Sequence, residues 1–312
     1  MSLSFSAFER DLRKAGANVE NAAVADGART LPPGHDYVCL MADHRTRIAP
    51  TPSGYLHAGN AINFLVTADL AQRMGASIRL RIDDLDAGRM RPEYLMDIFE
   101  SLMWLGISWQ DGPRDVREHE RHHSQQTRIP RYLEPIELLK EQGDLYACGC
   151  SRSELAKCAC RVKALPFQHP QVTWRMHLPS DALVRLRGLN GESTTLHPSR
   201  LMPDPVLRQR AELGGRPAYQ IASLIDDAEH GIDLVVRGED LLPSTACQLY
   251  LAERLGLGRF ASACFVHHAL ITDEEGRKLS KSAGSASLLA MRARGETPEG
   301  LKVRAREVLR SL

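Results

Sequence analysis

The sequence predicts an α/β fold: a parallel sheet with helical crossovers, carrying a small inserted domain. Three observations predict it. From Arg47 onward, short strand-like apolar runs alternate with runs of helical period, as in "RTRIAP", Ala61 to Met74, "SIRLRIDD" and Arg91 to Leu105. A strand, turn, helix, strand order builds parallel sheets with right-handed crossovers. Residues 146–214 break this rhythm, being rich in Pro, Ser and Arg and weakly periodic, and the rhythm resumes after them. At 312 residues, 43% hydrophobic and 25% charged, the chain has the length and composition for one large domain with a smaller one set into it.

Taken in order, residues 1–43 read as an N-terminal extension. A short amphipathic stretch around Phe5, Phe8 and Leu12 gives way to "NAAVADGARTLPPGHD", which is small, polar and broken by two prolines and a glycine. Residues 44–145 hold the first half of the main domain, with helices ending at Gly75 and Gly106 and a further helix from Ile129 to Gln142. After the insertion, residues 215–260 supply the second half. "AYQIASLIDDAEHGIDLVVRGEDLL" contains an apolar helical stretch, an acidic turn and the strand "LVVR", followed by a helix from Ser244 to Leu255. Residues 261–312 give one more strand, a lysine-bearing loop and a basic helical tail. No internal repeat is evident.

A net charge of +1 does not mark a strongly basic nucleic-acid binder, although a balanced total can hide a basic face. Charged residues from Glu9 onward interrupt any signal-peptide core, and no run of about 18 apolar residues occurs. The expectation is a cytoplasmic protein with no membrane partner. Of seven cysteines, four fall within "CGCSRSELAKCAC". In a cytosolic chain such clustering favours a metal over a disulfide framework. Cys148, Cys150, Cys158 and Cys160 would satisfy a tetrahedral Zn²⁺. The C-x-C spacing is tight, and Gly149 permits the sharp turn it needs while Ala159 helps less. Reduced free thiols are the alternative, with His169 as a replacement ligand.

Two short motifs carry the chemistry. In "TPSGYLHAGNAIN" the glycines let the backbone approach a ligand, and the helix that follows leaves N–H groups free for an anion. His57 stands two residues before Gly59 and Asn60 at that turn, within reach of a phosphate held there. In "GRKLSKSAG", Lys278, Leu279, Ser280, Lys281 and Ser282 make a loop with two ammonium groups and two hydroxyls, able to close on a triphosphate.

In this order the two resemble the HIGH-like and KMSKS-like motifs of class I aminoacyl-tRNA synthetases. "RIAPTPSGYLHAGNA", "LRIDDLD", "LMWLGISWQDGP", "AYQIASLIDD", "VVRGEDLL" and "GRKLSKS" follow one another as in the catalytic part of glutamyl-tRNA synthetases, from about Arg47 to Ser285. The longer members continue through an anticodon-binding region. In its short form the chain resembles the glutamyl-queuosine tRNA(Asp) synthetases. The resemblance implies a Rossmann-like class I catalytic domain that joins glutamate to ATP as glutamyl-adenylate, with Mg²⁺ on the leaving phosphates. It also implies transfer of glutamate to queuosine in the anticodon of tRNA(Asp).

By the same resemblance, Arg47, Ile48, Ala49, Pro50, Thr51, Asp83, Tyr219 and Arg237 line the glutamate site. ATP falls to His57, Gly59, Asn60, Lys278, Leu279, Ser280, Lys281 and Ser282, with His57 and Lys281 catalytic. Asp83 stands where the family usually has glutamate, one methylene shorter, so the pocket closes slightly or a water bridges the gap. Related proteins often bind zinc through C-x-C followed by a tyrosine and a cysteine, a spacing this chain replaces. Rival readings are glutamyl transfer to a tRNA terminus, a small molecule or a carrier protein, a nucleotidylyltransferase, and a non-catalytic tRNA-binding paralogue.

Overall fold

The computed structural model describes residues 44–271 and 287–312. The expected extension and the loop bearing Lys278, Leu279, Ser280, Lys281 and Ser282 lie outside the described residues.

The first strand, β1 (Arg45–Ile48), is buried beyond its first residue. It leads through Pro50, Pro52 and Gly54 into α1 (Ala58–Met74). This helix begins three residues before the expected Ala61 because His57 caps it. The His57 Nδ1 accepts from the Gly59 N–H at 3.1 Å, and the Asn60 Oδ1 accepts from the His57 N–H at 3.1 Å, so two otherwise orphaned donors are satisfied. Gly75, at φ 64°, ends the helix in the left-handed conformation. The second strand, β2 (Ser77–Leu80), runs parallel to β1, Arg45 opposite Ser77 through to Ile48 opposite Leu80. It stops short of the expected "SIRLRIDD": Arg81, Asp83 and Asp84 turn their side chains to a polar network described below, while Ile82 stays in the apolar core.

Next comes α2 (Pro92–Leu105), with proline at its start and Gly106 at φ 74° closing it. Gly112, at φ +100°, lies against β2, where an added Cβ would sit 2.1 Å from the Leu80 carbonyl oxygen. No side chain fits there. Short turns then reach α3 (Ile129–Glu141).

Five short strands follow: β3 (Leu145–Cys148), β4 (Thr173–Met176), β5 (Val184–Arg187), β6 (Ser193–Leu196) and β7 (Val206–Arg208). The chain returns through α4 (Tyr219–Glu229), β8 (Leu234–Gly238), α5 (Leu242–Arg254) and β9 (Cys264–His268), and ends in α6 (Leu288–Ala293) and α7 (Glu299–Arg310).

The strands form two sheets among the described residues. The larger has the order β2-β1-β8-β9-β5-β6, parallel except for the antiparallel β5–β6 hairpin. The smaller is antiparallel, β3-β4-β7. Residues 184–196 thus extend the main sheet, although they come between strands of the small one. Side chains of the central strands alternate between two apolar layers. Leu234, Val236, Cys264 and Val266 pack with Ile62, Phe64, Ile98 and Leu301, and so join α1, α2 and α7 on one face. Val235 and Phe265 pack on the other face with Ile221, Leu224 and Leu249 of α4 and α5. Helices on both faces are what a parallel sheet requires.

Strand order reverses between β1 and β8: the chain steps from β1 outward to β2, then returns to pair β8 on the other side of β1. A crevice opens outside the carboxyl ends of strands at such a switch point. Arg47 and Arg237 stand on those two strands, near their carboxyl ends.

Candidate active site

Two buried arginines stand on β1 and β8, Arg47 and Arg237. Arg237 is 3% exposed. Both of its terminal nitrogens donate to the Gln248 Oε1, at 3.0 and 3.1 Å, and its guanidinium lies over the Phe265 ring at 5.3 Å from the centroid. Its Nε has no hydrogen-bond partner, and no carboxylate within ion-pair distance is found for it among the described residues. Neutral groups therefore hold a buried positive charge in place without compensating it. Burial pushes the Arg237 pKa down to about 10, with Arg47 acting the same way and Tyr219 and Asp227 opposing. It stays cationic at neutral pH. Arg47 donates to Asp227 Oδ2 at 3.3 Å and to the Val236 carbonyl at 3.4 Å. Its charge is already shared.

A cavity of about 520 Å³ has walls that include Thr51, Asp83, Gln125, Arg216, Tyr219 and Ser223; Arg47 and Arg237 are not on its wall, and Tyr219 is the lining residue next to Arg237. Of the expected glutamate-site residues, Thr51, Asp83 and Tyr219 line it directly. Ile48 is committed to the apolar core, so only its main chain faces polar groups: its carbonyl accepts from the Arg81 N–H at 2.9 Å. The Pro50 carbonyl likewise accepts from the Asp83 N–H at 2.9 Å, which runs the 49–51 turn alongside residues 81–83.

Asp83 is 9% exposed and gripped by one side chain: Arg81 Nε donates to Oδ1 at 2.6 Å and Arg81 Nη2 to Oδ2 at 3.2 Å. Arg81 also pairs with Asp227 Oδ1 and donates to the Ser223 Oγ at 2.9 Å. Gln125 Nε2 reaches Asp226 Oδ2 at 2.9 Å and Asp83 Oδ1 at 3.4 Å, and Tyr132 and Arg128 bind Asp226 from the far side. Asp84 faces away, accepting from Ser124 Oγ at 2.6 Å and the Gln125 N–H at 2.7 Å, with His119 at 3.0 Å. Sequence reasoning misses this network. The only signal is charge placed inside apolar runs, "RLRIDD" and "SLIDDAE".

His57, Gly59 and Asn60 do not line this cavity; they form the cap at the start of α1. Because Nδ1 of His57 is an acceptor, the neutral ring carries its hydrogen on Nε2. Elements flanking the lysine loop converge here. The Leu288 N–H donates to the Leu56 carbonyl at 2.8 Å, and Arg292 of α6 reaches Asp97 Oδ1 at 2.6 Å, while Asp97 Oδ2 accepts from the Leu56 N–H at 3.1 Å. On the other flank, His268 Nε2 meets Asn63 Oδ1 of α1 at 2.9 Å.

Away from the crevice, the Sγ atoms of Cys148, Cys150, Cys158 and Cys160 all lie within 4.8 Å of one another. Cys148 and Cys158 are 3.7 Å apart, Cys150 and Cys160 3.5 Å. Four thiolates around zinc, at Zn–S of about 2.3 Å, stand roughly 3.8 Å apart, so the donor set fits the ion. The Cys160 N–H donates to the Cys158 sulfur at 3.4 Å. Thiols so crowded cannot all ionise without a cation: Cys160, Cys158 and burial hold Cys150 up at about 12. His169 is not in the group. It lies with Phe167 and Trp174 in a separate hollow.

The chain matches the family described as tRNA synthetases class I (E and Q), catalytic domain, over residues 43–178 and 161–302. It is similar to glutamate-tRNA ligase 2 of Dinoroseobacter shibae, 33% identical over 82% of this chain and 59% of that protein. It is also similar to the glutamyl-Q tRNA(Asp) synthetase of Symbiobacterium thermophilum, 35% identical over 81% of this chain and 82% of that one. Among solved structures, the glutamate-tRNA synthetase of Elizabethkingia anophelis aligns with a TM-score of 0.62 at 27% identity, over 78% of this chain and 53% of that one. The chain thus spans less than two thirds of the glutamate-tRNA ligases it matches. Buried arginines at the carboxyl ends of the two switch-point strands, a capped helix after the first of them, and a family match across both halves lead to one conclusion: this chain belongs to the class I tRNA synthetases of the glutamate and glutamine branch and contains their catalytic domain.

Proposed function

We propose that the protein activates glutamate with ATP and transfers the glutamyl group to queuosine in the anticodon of tRNA(Asp). The observation that carries the first step is Arg237, a buried guanidinium with its Nε unsatisfied and no carboxylate partner among the described residues. A dicarboxylate supplies the missing charge, and a charge-assisted bond of this kind is worth about 1.5–3 kcal/mol. Arg47 and Tyr219 complete the grip on the side-chain carboxylate, and Asp83 takes the ammonium group.

Activation needs no general base, because the α-carboxylate is ionised at neutral pH. Its oxygen forms a bond to the α-phosphorus of ATP while the bond to the bridging oxygen breaks and pyrophosphate leaves. The chain's part is positioning and charge stabilisation. By resemblance, His57 at the start of α1 lies against the phosphates. By resemblance, Lys278 and Lys281 neutralise the leaving pyrophosphate, to which Mg²⁺ would add further positive charge, and Leu279, Ser280 and Ser282 belong to the same ATP-binding loop. A hydroxyl of the queuosine cyclopentene-diol then attacks the activated carbonyl, and AMP departs. The four cysteines hold one structural zinc, which takes no part in these steps. Resemblance to the Symbiobacterium thermophilum protein supports this acceptor.

Glutamate-dependent exchange of labelled pyrophosphate into ATP, measured without tRNA, tests the first step, with the other amino acids as controls. For the second, labelled glutamate and ATP are offered with tRNA(Asp) with and without queuosine. Label is expected only in the queuosine form. Equal labelling of both, or labelling of tRNA(Glu) at its terminus, returns the protein to ordinary aminoacylation.

A further inference from the structure

We infer that Arg81 is the positioning residue that couples the two ends of the amino-acid site, fixing Asp83 with one edge of its guanidinium and Arg47, through Asp227, with the other. The inference rests on the proposed glutamate reading and adds a residue to it. Arg81 is 6% exposed, and its three nitrogens serve Asp83, Ser223 and Asp227 between them. Nε and Nη2 hold the two oxygens of Asp83, Nη2 also meets the Ser223 hydroxyl, and Nη1 is shared between Asp227 Oδ1 and the Ser223 carbonyl. Asp227 spends its other oxygen on Arg47 Nε at 3.3 Å. An unbroken line of charge-assisted bonds therefore joins the groups proposed for the substrate ammonium and for its side-chain carboxylate. A planar fork can hold that geometry; an ammonium on a flexible stem cannot.

The arrangement bears on the shorter carboxylate at this position. Lacking one methylene of reach, Asp83 depends on its orientation, and both of its oxygens lie on the Arg81 fork. With both oxygens on the fork, the carboxylate is held in one orientation at the wall of the cavity it lines. The charged groups facing Asp83 are Arg81 from its own segment and Asp226 and Asp227 from α4. Arg128 stands behind Asp226 and Arg47 behind Asp227, while Asp86 and Arg216 are on the cavity wall. Burial and the two aspartates raise the Asp83 pKa, and Arg81 is the group that opposes them. Loss of Arg81 therefore moves the acid limb of glutamate use to higher pH.

The test compares wild type with Arg81→Lys, Arg81→Gln and Asp227→Asn in the full chain, by pyrophosphate exchange with glutamate and ATP varied separately over pH 5 to 9, and by calorimetric binding of glutamate alone. Each variant is checked for cooperative thermal unfolding. The expected result is a KM for glutamate raised about ten- to a hundredfold with KM for ATP within about twofold. The acid limb of kcat/KM for glutamate should shift upward in Arg81→Gln by about one pH unit or more, as loss of a partnered charge implies. The double variant Arg81→Lys/Asp227→Asn should cost less than the sum of its parts. If Arg81→Gln does not fold, Arg81→Lys and Asp227→Asn carry the same comparison. Parallel rises in both KM values, or an unmoved acid limb with an unchanged glutamate KM, overturn the coupling while leaving glutamate activation intact. No exchange and no glutamate binding by the wild type overturns the functional reading itself, and the coupling falls with it.

Discussion

Arg237 shows how one residue can be costly in the empty protein and useful in the loaded one. A buried charge without an opposite partner destabilises the fold, and the contacts with Gln248 and Phe265 orient the guanidinium without neutralising it. Replacing it with Gln is therefore expected to leave the melting temperature of the free protein unchanged or higher. The same change should raise the KM for glutamate about ten- to a hundredfold, the size of one lost charge-assisted contact. Differential scanning calorimetry with and without glutamate checks both halves: wild type gains stability with the ligand, Arg237→Gln does not. A clear drop in the melting temperature of free Arg237→Gln would mean that the arginine is a structural support. Residues of this kind differ in how far the sequence announces them. Arg47, Asp83 and Tyr219 stand inside recognisable motifs and can be named as candidates at once. Arg81, Gln125, Asp226 and Asp227 come from three separate parts of the chain and meet only through packing, so no local pattern assigns them partners.

Element boundaries follow the chemistry of caps and turns more than hydrophobic period. Gly75 and Gly106 end their helices where the sequence says, since only a left-handed residue completes the last turn there. The start of α1 is less legible, because a histidine is an unusual cap and its reciprocal bond with Asn60 is visible only in three dimensions. Residues 145–208 are the least legible stretch. Strands of three or four residues give too few alternations to set a period. Their hold comes from a shared apolar core that includes Leu145, Trp174, Met176, Val184 and Leu207, and the cysteines bring the end of β3 to the helical turn at Cys160–Lys163. The protein purified under reducing conditions is expected to contain about one zinc per chain by elemental analysis, as four thiolates saturate a single ion. Chelation, or Cys158→Ser together with Cys160→Ser, should remove it and lower the melting temperature by several degrees, given about 2–4 °C per kcal/mol in domains of 150–250 residues. Metal-free protein with an unchanged melting temperature would leave the cluster as plain thiols.

At the scale of the whole molecule, the alternating pattern of strands and helices is enough to give the sheet and its two helical layers, and what it leaves out is how the ends are tied. Asp233, 5% exposed, gathers the starts of two strands and a helical turn: the Arg45 N–H donates to it at 2.8 Å, Arg259 at 3.0 Å, and the His44 ring lies at 3.4 Å. Burial alone would raise its pKa, but His44, the Arg45 N–H and Arg259 together bring it below the ordinary value. The folded carboxylate thus binds its proton more weakly than the unfolded one. Its stabilisation is full above the unfolded pKa of about 3.9 and disappears as pH falls through the lower folded value. Asp233→Asn should therefore cost about 1.5–3 kcal/mol near pH 7, measured by urea unfolding, with the gap to wild type closing below about pH 4. A gap independent of pH would assign the loss to packing. The β5–β6 hairpin has a different bearing on the whole. It arises between strands of the small sheet yet seals the flank of β9, at Arg187 opposite Cys264. An engineer who excised residues 146–214 to graft another module would also strip that flank, leaving the backbone donors and acceptors along β9 open to pairing with other chains. A graft here must bring its own covering strand, or keep this one.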